Sequence, residues 1–330
     1  MSNHKETPKV STAGGFVAGA LAACGAVTFT NPIELIKTRM QLQGELTKAD
    51  AHIPKVYKNP IQAFGVIYRN EGIKGLQKGL VSGYLYQIGL NGCRFGFYEP
   101  SRQILSEFFY PEAFAKGQIP QNMAINVSSG FISGVCGAIV ANPLFLIKTR
   151  MQSYSAAANV VSNASADAPK IQSVGQQTFY KSPWDGLKKI YTSEGIKGLF
   201  RGVDAAILRT GAGSSCQLPS YFYAKNLVVS NNIAAPDSIL THFLSSSAAG
   251  LVVAVVMNPW DVILTRVYNQ KGDLYKGPVD CFIKTFKTEG PTAFYKGFWA
   301  QLFRIGPHSI LTLMFMEQSM KFVAEVESFF

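Results

Sequence analysis

The chain has 330 residues, 47% hydrophobic but only 15% charged, and charged residues normally make up about a quarter of a soluble domain. With a mean hydropathy of just +0.11, it is also no single greasy anchor. It suits several helices that each face lipid on one side and a polar interior on the other. The net charge of +11 does not describe a nucleic-acid stripe, because 22 of the 31 Lys and Arg fall in Lys37–Lys78, Lys148–Arg201 and Arg266–Lys296. The connections Phe108–Gln121 and Asn226–Thr241 hold one Lys and no Arg. Alternating basic and non-basic loops are what the positive-inside rule predicts for a multispan protein, and nucleic acid is excluded as a partner.

In chain order, the opening MSNHKETPKVST is too short, and too acidic at Glu6, for a cleavable transit peptide, so targeting information is expected to be internal. A long helix is predicted over Ser11–Gln41, ending in TNPIELIKTRMQ. A short amphipathic surface helix follows, then a second long helix over Leu80–Ser106. The pattern returns with Asn122–Gln152, ending in ANPLFLIKTRMQ, and with Val203–Val229. It returns again with Ser238–Tyr268, around MNPWDVILTRVYNQ, and Phe298–Val326. Each long helix exceeds the ~20 residues needed to cross the hydrocarbon core. After each Pro motif a tyrosine precedes an acid-Gly pair and then a base-Gly pair. These read Tyr57, Glu71-Gly72, Lys78-Gly79; Tyr180, Glu194-Gly195, Arg201-Gly202; and Tyr275, Glu289-Gly290, Lys296-Gly297. Three repeats result, 8–110, 119–230 and 236–328. The second carries an extra stretch, SYSAAANVVSNASADAPKIQSVGQQ, that is expected to form a disordered loop. Gly15-x3-Gly19 and Gly130-x3-Gly134 are expected to mark close helix packing.

The five cysteines form no CxxC pair or metal-ligand spacing, and Cys24, Cys93, Cys136 and Cys216 are expected to be buried, inert thiols. There is no GxSxG, HExxH or P-loop, so an enzyme is not expected.

Seven residues past each base-Gly pair stand Tyr86, Arg209 and Arg304, and fifteen past stand Arg94, Gln217 and Thr312. The spans thus carry Arg94, Arg209 and Arg304 at depths where no acid is expected. Intramembrane cations are costly and signal function, and Arg forks suit carboxylate or sulfate. The cargo is expected to supply the missing negative charge, with Tyr86, Gln87 and Asn91 as hydrogen-bonding neighbours. His308, one turn past Arg304, is either a titrating partner or a plain packing residue.

The threefold pattern Pro-x-acid-x-x-base-x-Arg, then acid-Gly and base-Gly, resembles the mitochondrial carrier family and covers nearly the whole chain. The resemblance implies an all-α membrane protein of six tilted transmembrane helices in three pseudo-symmetric repeats. It further implies one central site for small anionic metabolites, alternating access, and bound cardiolipin at the helix starts after the base-Gly pairs. A monomer with both termini towards the intermembrane space, and no other cofactor, is expected. The family's matrix gate pairs the motif acid of one repeat with the motif base of the next. Here the acid positions are Glu34, Phe145 and Asp261 and the base positions Lys37, Lys148 and Leu264. The cyclic order predicts Glu34 with Lys148, Asp261 with Lys37, and Phe145 against Leu264. Two departures from the pattern thereby fall together and strand no charge. The cytoplasmic gate likewise predicts Glu99 with Lys225, Glu317 with Arg102, and Phe222 against Met320. By the same resemblance Arg39, Arg150 and Arg266 tie the odd helices to Glu71, Glu194 and Glu289. The pair Arg209-Thr210 is of the kind found in keto-acid and dicarboxylate carriers, which points to a small dianion. A related dicarboxylate, sulfate or thiosulfate exchanger is the alternative within transporters.

Overall fold

The structure, a computed structural model, describes residues 11–47, 55–111, 123–155, 174–175, 177–235 and 238–328, without the side chains of residues 12, 13, 94, 95, 123, 214, 215, 218 and 239. Six long helices carry it: α1 (Thr12–Leu42), α3 (Leu80–Phe109), α4 (Met123–Ser153), α6 (Val203–Ser230), α7 (Ile239–Asn269) and α9 (Phe298–Glu327). Three short ones lie between them: α2 (Pro60–Leu76), α5 (Pro183–Leu199) and α8 (Pro278–Glu289), the last followed by a 3₁₀ turn, Pro291–Tyr295. The long helices have 28 to 31 residues, about 42–47 Å at 1.5 Å per residue, which is enough to cross a bilayer with tilt.

Local sequence explains the boundaries. Ser11 caps α1 by accepting from the Gly14 N–H at 3.0 Å, and Asn59 and Ser182 cap α2 and α5, each followed by Pro at the first helical position. The acid-Gly pairs are now explained. Gly72 and Gly195 take φ of 65° and 67°, leave the helical conformation and break α2 and α5 each into two pieces across a kink. Each long helix also contains a proline, Pro32, Pro100, Pro143, Pro219, Pro259 or Pro307, whose missing N–H permits a bend. The predicted long helices lie within one residue of those observed, except that α3 runs three residues further, to Phe109.

The six long helices close a ring, in which α1 packs on α3 and α9, α4 on α3 and α6, and α7 on α6 and α9. Ser11 and Glu327 hydrogen-bond where the first and last helices meet. Among the described residues α1, α4 and α7 are long and apolar enough to cross a membrane by composition alone. The other three long helices are less apolar on average. One of them, α9, still presents Ile310, Leu313 and Met314, each at least 60% exposed, as lipid contact requires. Gly15 and Gly130 make no close contact, contrary to the packing expected of them. The close approaches fall instead at Gly25, against the Phe315 ring, and at Gly213, against Met257. The cysteine expectation also needs correction. Cys24, Cys93, Cys136 and Cys216 are only half-buried, whereas Cys281 on α8 is fully buried, and burial pushes its thiol up to about 12.

Candidate translocation cavity and its closed end

The Pro-motif ends of α1, α4 and α7 converge and shut the ring. Lys148 Nζ lies 2.8 Å from Glu34 Oε1, and Lys37 Nζ lies 2.7 Å from Asp261 Oδ2. Leu264 is buried in an apolar cluster against which Phe145 packs. Phe145 also meets the Tyr86 ring at 4.7 Å and the Tyr268 ring at 5.4 Å. All three pairings follow the cyclic order, two ionic and one apolar. Reversing Glu34 or Lys148 alone strands a buried charge, so either change is expected to abolish uptake into liposomes. The double reversal, Glu34→Lys with Lys148→Glu, should restore part of it, since Arg304 would then face a cation. Independent, additive losses would break the assigned pairing.

A second, outer tier repeats three times. The motif arginine of each repeat reaches the acid of the acid-Gly pair, which also takes the base of the base-Gly pair. The distances are 2.6 Å for Arg39–Glu71 and 2.5 Å for Lys78–Glu71. They are 2.9 Å for Arg150–Glu194 and 3.1 Å for Arg201–Glu194, and 2.5 Å for Arg266–Glu289 and 2.6 Å for Lys296–Glu289. The sequence pointed to the arginine half of each triad and missed the base. The constant seven-residue step from acid to base was the available signal.

At the opposite end the described ion pairs are local. Glu99 pairs with Arg102 at 3.4 Å and Glu317 with Lys321 at 2.6 Å, each within its own helix. Among the described residues no ion pair joins two long helices there. The predicted ion pairs Glu99–Lys225 and Glu317–Arg102 are not among those the described residues make, and Phe222 is 44% exposed. Two gates at opposite ends of one channel need not close together, and among the described residues the ion pairs that join long helices lie at the Pro-motif end.

Above the shut gate lies a cavity of about 180 Å³, lined by Glu34, Lys37, Tyr86, Gln87, Lys148, Arg209, Asp261, Arg304 and His308 among others. That is smaller than the roughly 300–1,000 Å³ of pockets for drug-sized ligands. The expectation that Arg209 and Arg304 have no acid nearby is wrong. Arg209 Nε hydrogen-bonds Asp261, and Arg304 Nη1 stands 4.0 Å from Glu34 Oε2. Their long stems reach down to the gate acids, which a comparison of helix depths ignores. The charge balance still favours an anion: four cations, Lys37, Lys148, Arg209 and Arg304, face two carboxylates. The arginines are also unequal, for Arg304 Nε is buried without a hydrogen-bond partner.

Other predicted contacts fall differently. Thr210 donates to its own helix at Ala206 O, 2.8 Å, and lines a smaller neighbouring void of about 20 Å³ behind Arg209. Asn91, one turn along α3 from Gln87, does not line the cavity. The Arg94 side chain lies outside those described. His308 Nδ1 faces Thr30 Oγ1 at 3.3 Å, and that hydroxyl already donates to Ala26 O, so the imidazole nitrogen is the donor.

Comparison with known proteins agrees with this architecture. The family described as mitochondrial carrier protein matches three times, at residues 8–109, 120–232 and 235–327. The chain is 58% identical over 320 residues to the mitochondrial oxaloacetate transport protein of Saccharomyces cerevisiae, covering 97% of this chain and 93% of that one. It is 49% identical to the protein of the same name in Schizosaccharomyces pombe, with the same coverage. It is also 49% identical to mitochondrial citrate transporter E of Aspergillus niger, covering 97% and 96%. The chain belongs to the mitochondrial carrier family, whose members carry small metabolites through the mitochondrial inner membrane as multi-pass proteins.

Proposed function

We propose that the chain carries small dianions, oxaloacetate foremost and also sulfate, malonate and isopropylmalate, across the inner membrane by alternating access. The observation that carries this reading is the surplus of two positive charges around the cavity, with the Arg304 fork left unbonded at Nε. A dianion would neutralise that surplus, whereas a neutral cargo would leave buried cations uncompensated. Similarity to two oxaloacetate transport proteins supports the four-carbon keto-acid as first choice. The cargo crosses chemically unchanged, and no residue is given a catalytic role.

Six spans put both termini on one side, and the basic segments lie on the other, which by the positive-inside rule is the matrix. The termini then face the intermembrane space, and the shut gate is the matrix gate. The ring encloses its cavity with one chain, so a monomer suffices. Cardiolipin is the lipid we assign to the helix starts after the base-Gly pairs. The groove of about 860 Å³ beside the starts of α6 and α8 is lined by Lys197, Arg201 and Lys276 but also by Glu194, Asp204 and Asp273. What supports the assignment is therefore the pair of helix N-termini, which favour phosphate, and not a surplus of positive charge. The test is uptake by the purified protein in liposomes against a panel of internal and external anions. Oxaloacetate and sulfate should be taken up readily and nucleotides excluded. Citrate uptake faster than that of every dianion would overturn the charge argument.

A further inference from the structure

The three seams between successive repeats are built alike in sequence, and the structure shows that they are not closed alike. Between the first and second repeats, Arg39 donates from Nε to Gln152 O at 3.0 Å and from Nη2 to Tyr154 O at 2.7 Å. Gln152 Nε2 donates to Asn31 Oδ1 at 3.0 Å. Between the second and third, Arg150 donates to Tyr268 O at 2.9 Å and to Gln270 O at 3.1 Å, and Tyr268 donates to Asn142 Oδ1 at 2.6 Å. The equivalent atoms of the remaining seam, third repeat to first, are Arg266 Nε, Gln41 Nε2 and Asn258 Oδ1. All three are buried without a hydrogen-bond partner.

Inside, this seam keeps the Lys37–Asp261 ion pair and a Thr265 Oγ1 hydrogen bond to Gln41 Oε1 at 2.8 Å, and its other contacts lie at its outer edge. The Tyr275 hydroxyl donates to Glu45 Oε1 at 2.7 Å, the Leu46 N–H to Glu289 Oε1 at 2.8 Å, and Lys296 Nζ to Gln43 O at 2.8 Å. The matching tyrosines do otherwise. Tyr57 and Tyr180 accept from the arginine of their own repeat, at 3.5 and 3.4 Å. A buried polar atom that has lost water and gained no partner disfavours the closed arrangement, and parting the seam would return it to water.

We propose that the closed end parts first along the seam between the third and first repeats, with the Tyr275–Glu45 contact as the catch at its rim. This rests on the alternating-access reading above. Ile61, Trp184 and Val279 are equivalent, exposed second positions of α2, α5 and α8. Cysteines placed there in pairs, with the five native cysteines replaced, allow spin-label distances across each seam in lipid nanodiscs. On titration with oxaloacetate, the 61–279 pair should show a longer component at lower concentrations than the 61–184 and 184–279 pairs. Tyr275→Phe should enlarge that component several-fold, and Glu45→Ala should do the same without altering the tyrosine. Tyr57→Phe and Tyr180→Phe should leave their seams unchanged. If all three pairs lengthen together, or if Tyr275→Phe is as silent as the other two, the proposal is overturned. If no pair lengthens with oxaloacetate while uptake in liposomes persists, the alternating-access reading falls and takes this inference with it.

Discussion

Arg304→Ala is expected to cut uptake of oxaloacetate and sulfate in liposomes by about ten- to a hundredfold, mainly through KM. A charge-assisted hydrogen bond is worth about 1.5–3 kcal/mol, and the Arg304 guanidinium has its Nε unsatisfied and its nearest carboxylate oxygen at 4.0 Å. It is thus the least committed cation of the cavity and the first that a dianion can engage. Arg304→Lys keeps the charge and loses the planar fork, so most of the deficit should remain. Arg209→Ala should look different. Arg209 shares Asp261 with Lys37, so its loss weakens cargo binding and also leaves the shut gate with one cation fewer. Its variant should therefore combine a raised KM with faster leakage of a trapped internal anion, which Arg304→Ala should not show. Intact uptake in both alanine variants would place the central site elsewhere.

Much of this arrangement is legible in the sequence because the repeats are related by rotation. Once Glu34, Phe145 and Asp261 are aligned with Lys37, Lys148 and Leu264, the cyclic order implied by the family resemblance selects partners more than 100 residues apart. The structure makes the same choice in all three cases. Rotation says nothing of reach, however. Depth counted along a helix places Arg209 and Arg304 away from every acid, but each side chain extends far enough to meet a gate carboxylate one level below. Thr210 fails for a related reason. Spacing puts it next to Arg209, and helix geometry turns it about 100° away, where its hydroxyl closes on Ala206 O. The unequal seams were not legible at all. Gln41 and Gln152 are the same residue in the same motif, yet the amide nitrogen of Gln152 finds Asn31 and that of Gln41 finds nothing. The same residue types stand at both places, so residue type does not encode that difference.

Glu71→Ala is expected to be the most damaging single change to the fold outside the spans, lowering stability by about 3–5 kcal/mol, the range for stranding buried charge by removing one partner. The Glu71 side chain is 4% exposed and that of Arg39 fully buried. The pair is bidentate, at 2.6 and 3.0 Å, and Lys78 and Ser155 add bonds at 2.5 and 2.8 Å. Removing the carboxylate leaves two cations facing each other with no anion between them. Lys78→Ala, by contrast, removes a quarter-exposed cation and should cost far less, as weakly buried pairs do. The pH dependence gives an independent check. Burial pushes the Glu71 carboxyl up, but hydrogen bonds and charge from Arg39 and Lys78 outweigh it and hold the group at about 2, below its ordinary 4.5. A carboxyl depressed in the folded state stabilises fully above its unfolded value and loses that contribution as pH falls through its folded one. Thermal stability of the purified protein in detergent should therefore be level from about pH 8 to 5 and decline between about 4.5 and 2. Glu71→Gln should lose part of that acid limb while remaining folded at neutral pH. An unchanged melting temperature in Glu71→Ala, with the same acid limb as the unmodified chain, would show that the triad does not hold α2 to α1.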